Sequence, residues 1–184
     1  GAAQGRVVAA GGHPQSPVPS PMPDRTVRVL FVCLGNICRS PVAEGVFQQK
    51  VTDAGLADRV IVDSAGTGGW HVGAPPDRRM TATAAQRGTD LSGLQARQLA
   101  RHDLDEFDHI FVMDKGNLHD TLALDPDGDH STRVRLFREF DPEPGDYQVP
   151  DPYYGGPEGF DHVYDIVDRT TDAILHRLRE IYGW

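Results

Sequence analysis

Val27-Arg28-Val29-Leu30-Phe31-Val32 runs straight into Cys33-Leu34-Gly35-Asn36-Ile37-Cys38-Arg39-Ser40-Pro41, and the reading of the whole chain turns on that junction. The apolar run reads as a strand. Ser40 is a favoured N-cap and Pro41 suits the first helical position, so a helix is expected from Val42 to Val51. A strand, a polar loop and a helix in that order make an anion cradle. Its walls are the backbone N–H groups of Leu34, Gly35, Asn36, Ile37, Cys38, Arg39 and Ser40, and the positive end of the helix favours a phosphate among them. Cys33 lies at the floor, where those donors and a nearby guanidinium favour the thiolate. Arg39 lies at the rim and presents a planar fork that can clamp two phosphate oxygens. The chemistry implied is attack of sulfur on phosphorus.

The bland alternative is a buried structural cysteine beside a surface arginine, but a buried cysteine is rarely followed by so polar a loop. A nucleotide-binding loop is disfavoured, because no Gly-x-x-x-x-Gly-Lys-Ser/Thr occurs. Cys33 and Cys38 are the only two cysteines, and no nearby histidine pair completes a zinc set at finger spacing. Neither metal nor cofactor is expected.

A chain of 184 residues suits one domain with a proper core. Its formal net charge of −9 argues against a nucleic-acid or anionic-membrane partner, so an anionic ligand has to be drawn in by local donors. Two cysteines in one loop fit a reducing cytosol better than a disulfide scaffold, and a cytoplasmic monomer or weak dimer is expected. No apolar run approaches the ~20 residues that span a bilayer, and the first residues lack a charged segment followed by an unbroken apolar one.

Residues 1–24 are rich in Gly, Ala and Pro and read as an extended N-terminal extension or expression remnant ahead of a domain over residues 25–184. From Val27 onward strand and helix signals alternate, the mark of an α/β fold with a parallel sheet. Gly55 marks the end of the first helix, and Val60-Ile61-Val62 reads as a second strand followed by a flexible loop, Asp63 to Trp70. A helix is expected over Arg78 to Arg87, a buried strand over His109 to Met113, and a helix from near Asp114. Val134-Arg135-Leu136 reads as a fourth short strand. The segment Phe140 to Phe160 is irregular, and long irregular loops are usually functional. Apolar residues at Phe160, Val163, Tyr164, Val167, Ile174, Leu178 and Ile181 give a last amphipathic helix that closes the domain. The expectation is therefore a single three-layer α/β domain: a four-stranded parallel sheet flanked by helices, with a phosphate-binding loop after the first strand.

These residues resemble the low-molecular-weight protein tyrosine phosphatases. The resemblance rests on Val29 to Pro41, Asp63-Ser64-Ala65-Gly66-Thr67, Trp70-His71-Val72-Gly73, Ala96-Arg97-Gln98, Val112-Met113-Asp114 and Asp151-Pro152-Tyr153-Tyr154-Gly155, in family order from Val27 to the end. It implies hydrolysis of phosphotyrosine in protein substrates, and of aryl phosphates, through a phosphocysteine on Cys33, with inorganic phosphate as product. By spacing alone Asp151 serves equally as a turn former before Pro152; the resemblance assigns it the general acid. Ser40 would donate its hydroxyl to the thiolate, and Asn36 would hold the loop in a left-handed turn. Trp70, Tyr153 and Tyr154, which read alone are as readily core residues, would wall a slot for a phenyl ring. Cys38 is either a small core residue or a redox partner of Cys33, and the resemblance favours the redox role.

Many family members carry a histidine two positions before the Ala96-Arg97 pair, where it supports the phosphate loop; this chain has Leu94. Relatives that act on phosphoarginine tend to carry Thr at the position of Ile37, whose apolar branch suits a phenyl ring better than a guanidinium. A thioredoxin-coupled arsenate reductase is the nearest rival, but with only Cys33 and Cys38 its disulfide cascade has no terminus. A non-catalytic phosphotyrosine-binding module would keep Arg39 and usually lose the nucleophile or the acid.

Overall fold

Alternate residues of the first strand, β1 (Val27–Cys33), enter two different cores, and this sets the layering of the molecule. Val27, Val29, Phe31 and Cys33 join one cluster of buried side chains, while Leu30 and Val32 join the other. A strand apolar on both faces must be covered on both. The computed structural model describes residues 25–184; the extension expected over residues 1–24 lies outside them. Beside β1 stand β2 (Val60–Gly66), β3 (His109–Val112) and β4 (Val134–Leu136), all parallel, in the order β2-β1-β3-β4. The helices are α1 (Arg39–Asp53), α2 (Arg78–Gln86), the single-turn α3 (Asp103–Glu106), α4 (Lys115–Leu122) and α5 (Glu158–Tyr182).

One core lies under α1, α2 and α5, the other under α3 and α4. The expected three-layer α/β fold is the one observed. Phe31 anchors the first core: its ring meets Phe47, Phe111 and Phe137 at centroid separations of 5.6, 5.8 and 5.8 Å. Such pairs add about 0.5–1.5 kcal/mol each beyond area burial, so the strand that carries Cys33 is firmly seated. Lys50 ties α1 to α5, donating to Thr171 Oγ1 at 2.9 Å. From β2 the chain crosses back over β1 to reach β3, so the loop after β1 opens where the winding reverses. Open parallel sheets bind their ligands at that point.

Two expected boundaries are corrected. The first helix begins at Arg39, not Val42, and Ser40 is not its cap: Cys38 holds the cap position without any side-chain cap bond. The Ser40 hydroxyl is engaged elsewhere, and Pro41 is tolerated inside the first turn because its missing N–H would have had no helical acceptor. The second strand continues to Gly66 through residues expected to form a loop, because pairing with Leu30 to Cys33 of β1 outweighs the poor strand propensity of Asp63, Ser64 and Gly66. A 3₁₀ turn, Phe137–Phe140, leads into the irregular stretch, α5 begins within that stretch at Glu158, and Asp114 caps α4 through a reciprocal capping box with Asn117.

Candidate active site

β1 delivers Cys33 to the carboxyl edge of the sheet, and the chain turns over it through Leu34 to Cys38 before α1 begins. The turn requires a left-handed residue, which is Asn36 at φ 57°. Gly66 of β2 lies directly beneath: a Cβ there would stand 2.8 Å from the Leu34 carbonyl oxygen. Among the described residues, no backbone N–H from Leu34 to Cys38 donates in a loop or turn bond. These groups, with the uncapped start of α1, form a concave set of donors suited to an anion.

Behind the loop lies a buried hydrogen-bond relay. The Arg97 N–H donates to Asn36 Oδ1 at 3.0 Å, which places Asn36 Nδ2 as a donor to Ser40 Oγ (2.8 Å) and Ser64 Oγ (2.9 Å). Ser40 Oγ meets Cys33 Sγ at 3.0 Å, and Ser64 donates to Glu44 Oε1 at 2.6 Å. Burial pushes the Glu44 carboxyl up to about 7; the Ser64 hydroxyl opposes this, and the Asp63 charge adds to it. Leu94, at the position of the family histidine, is a partly buried apolar residue packed on the core.

Arg39 is buried, with its guanidinium oriented from the rear. Nη1 donates to Asp114 Oδ2 at 2.7 Å and to the Val149 carbonyl at 3.1 Å, while Nη2 lies 3.7 Å from Asp151 Oδ2. The Nε and Nη2 atoms make no other hydrogen bond among the described residues, which leaves a forked edge for phosphate oxygens. Burial works against this charge, but the Cys33 sulfur and the carboxylates of Asp114 and Asp151 outweigh it and hold the guanidinium above its ordinary range. The Asp151 side chain is 38% exposed, and its Oδ1 accepts from the Tyr153 N–H at 3.1 Å.

A cavity of about 290 Å³ joins these groups. Cys33, Leu34, Gly35, Ile37, Cys38, Arg39, Trp70, Asp151, Tyr153 and Tyr154, all expected from the sequence, line it, and His71 lines it as well. Asn36 and Ser40 stand behind its floor in the relay. Trp70 (73% exposed) and Tyr154 (91%) project at the mouth rather than forming buried walls. Both thiols are free, and burial, reinforced by the Asp77 charge, pushes the Cys38 thiol far up, so it stays protonated. A larger cavity, about 530 Å³, opens near the start of β3 and β4, but no cysteine lines it and Arg25 and Arg135 there are already paired with Asp108 and Glu139. Size alone would have chosen the wrong one.

Sequence reasoning missed His71, Ser64, Glu44 and Asp114 as parts of this site. Asp114 had a usable signal, since it follows a buried strand at the ligand-binding edge of a parallel sheet. Glu44 had none: it is one polar position on an amphipathic helix.

A thiol, a loop of unpaired N–H donors, a buried guanidinium and a carboxylate around one cavity on a doubly wound sheet are the groups that cysteine-dependent phosphate transfer requires. A family model described as low molecular weight phosphotyrosine protein phosphatase matches residues 28–181, and the chain belongs to that family. It is 45% identical over 157 residues to a low molecular weight protein-tyrosine-phosphatase of Streptomyces coelicolor, a match covering 84% of this chain and 95% of that one. A protein tyrosine phosphatase from Entamoeba histolytica, solved with Hepes in its active site, superposes with a TM-score of 0.80 at 36% identity, covering 84% of this chain and 98% of that chain. An arginine phosphatase from Drosophila superposes at 0.76 with 30% identity, covering 82% of this chain and 97% of that chain.

Proposed function

We propose that this protein hydrolyses phosphotyrosine in protein substrates, and simple aryl phosphates, through a phosphocysteine intermediate. The observation that carries this reading is the meeting of Cys33, Arg39 and Asp151 in one cavity. The Cys33 sulfur attacks phosphorus as the bond to the phenolic oxygen breaks, and Asp151 gives that oxygen its proton. The phosphoryl oxygens are received by the N–H groups of Leu34 to Ser40 and by the free edge of Arg39. In the second step the Asp151 carboxylate takes a proton from water as the water attacks phosphorus, sulfur leaves, and inorganic phosphate is released. Ser40 stabilises sulfur as it departs, through the same hydrogen bond it makes at rest.

Arginine phosphatase activity is the second reading, favoured by the likeness to the Drosophila protein. Ile37 lines the cavity with a branched apolar surface. Leaving guanidinium donors unpaired against it costs about 1–3 kcal/mol for a buried group, which supports the aryl substrate. Cys38 lies in the same loop and lines the same cavity as Cys33, which supports capture of an oxidised Cys33 as a disulfide. Two free thiols also support a cytoplasmic setting; no helix among the described residues is long and apolar enough to cross a membrane.

The test is turnover of phosphotyrosine and phosphoarginine peptides by the parent and by Cys33→Ser. The parent is expected to favour phosphotyrosine in kcat/KM, and the variant to lose turnover on both while still binding vanadate, because the oxyanion donors survive the change. Residual turnover by Cys33→Ser comparable to the parent sinks the covalent mechanism, and a preference for phosphoarginine sinks the substrate assignment.

A further inference from the structure

The start of α2 touches both halves of the site. The Asp77 N–H donates to the Ile37 carbonyl of the phosphate loop at 2.8 Å. The Asp77 carboxylate caps α2, accepting from the Arg79 N–H at 2.8 Å and the Met80 N–H at 3.3 Å, so it is fixed to the loop and to the helix at once. It also receives the Arg79 guanidinium through two bonds, Nε to Oδ1 at 3.2 Å and Nη2 to Oδ2 at 3.0 Å. The same Nη2 reaches across to the Tyr153 carbonyl at 3.1 Å.

Tyr153 is the residue whose N–H holds Asp151 Oδ1. Its peptide neighbourhood is therefore tied at two points: the N–H to Asp151 and the carbonyl to Arg79. The Arg79 Cζ also lies over the Tyr153 ring, 5.3 Å from its centroid, and over that of the buried Phe160 at 4.8 Å. A continuous run of polar contacts thus leads from Ile37 through Asp77, Arg79 and Tyr153 to the Asp151 carboxylate. Arg39 also links the phosphate loop to the Asp151 segment, donating to the Val149 carbonyl at 3.1 Å and lying 3.7 Å from Asp151 Oδ2.

We propose that Arg79, on the phosphatase reading above, is a positioning residue that sets Asp151 at the height from which it can protonate the leaving oxygen, acting through the Tyr153 peptide. The guanidinium is half exposed, so its ion pair with Asp77 adds little to folding stability. Its consequence lies in geometry. Only a planar fork can hold a carboxylate and a carbonyl at once while lying near two aromatic rings; lysine supplies the charge without the fork. Proton transfer tolerates little error in such placement, with a misplacement of ~1 Å costing on the order of 10²-fold.

The experiment is a double-mutant cycle of Arg79→Ala and Asp151→Asn, read as kcat/KM on phenyl phosphate and on 2,4-dinitrophenyl phosphate, with vanadate inhibition measured in parallel. Arg79→Ala is expected to lower phenyl phosphate turnover about tenfold or more, within the range of general acid catalysis, with a smaller loss on the dinitrophenyl ester, whose leaving group needs no proton. In the Asp151→Asn background the same change should add nothing on phenyl phosphate, and vanadate affinity should be retained throughout. Arg79→Lys should fall between parent and Arg79→Ala, and Arg79→Gln replaces the alanine variant if urea denaturation shows that one unfolded. Equal losses on both esters, or losses that multiply in the double variant, overturn the assignment while leaving the phosphatase reading intact. A parent that hydrolyses neither ester overturns both.

Discussion

Glu44 carries a charge that its surroundings resist. Burial pushes its carboxyl up to about 7, the Ser64 hydroxyl pulls the other way, Asp63 pushes it further up, and Arg97 offsets part of that. A carboxyl raised in this way favours folding while it is protonated. Its contribution is therefore complete below the usual glutamate range, near pH 4.3, and is lost as pH climbs through about 7. Glu44→Gln keeps the acceptor for Ser64 and removes the titration, so it should gain on the parent by about 1–3 kcal/mol between pH 5 and pH 8. Urea denaturation of both proteins at the two pH values measures this. A difference independent of pH would falsify the assignment of Glu44 as the buried titrating group.

The junction of β1, its loop and α1 depends on how closely β2 approaches. Ser64 enters the relay because Phe31 and Ser64 are register partners, and Gly66 faces Cys33 at the end of the same ladder. Only glycine fits there, since a Cβ would lie 2.8 Å from the Leu34 oxygen, 3.0 Å from the Gly35 carbonyl carbon and 3.1 Å from the Asn36 nitrogen. All three are backbone atoms and cannot swing aside. Gly66→Ala should therefore displace the loop, cost about 1–3 kcal/mol by overpacking, and weaken vanadate binding along with turnover. Measured vanadate affinity equal to the parent's would show that the loop absorbs a methyl group without moving its N–H donors. Strand pairing of this kind explains why Asp63 to Gly66, a run of poor strand formers, is held extended.

Stability across the whole molecule should depend on pH through two buried groups of opposite sign. His109, between β3 and the end of α5, meets the Tyr182 hydroxyl at 2.7 Å, and burial pushes its imidazole down to about 4, the Asp108 charge opposing. A histidine depressed in this way contributes stability that is present above its usual value near 6.5 and is lost as pH falls through about 4. Glu44 loses its contribution in the other direction over much of the same window, so the two offset one another in the parent. His109→Phe should remove the acid-side loss and leave the Glu44 limb, giving a protein whose urea midpoint falls as pH rises from 5 to 8. At neutral pH it should also lack the Tyr182 bond, a cost of about 1 kcal/mol. A pH profile of the variant parallel to that of the parent would remove His109 from this role.

What could be read along the chain was what lies close along it. A β-branched run, a left-handed Asn36, a cysteine and an arginine six positions apart and the apolar stripe of α5 each express themselves within one element, through steric preference and hydrophobic period, so strand, loop, helix and the nucleophile with its clamp follow from local pattern. Local pattern left Asp151 equally a turn former before Pro152, and the family resemblance decided for the acid. Local pattern makes Ser40 a cap, which it is not, while the family resemblance joins its hydroxyl to Cys33, which it meets together with Asn36. The partners that complete the site are distant in sequence: Asp114 lies 75 positions from Arg39, Ser64 lies 28 from Asn36, and Tyr153 lies 74 from Arg79. Their roles were decided only when the β2-β1-β3-β4 winding brought those elements to one edge, because a polar side chain shows its partner only once burial has removed water as the alternative.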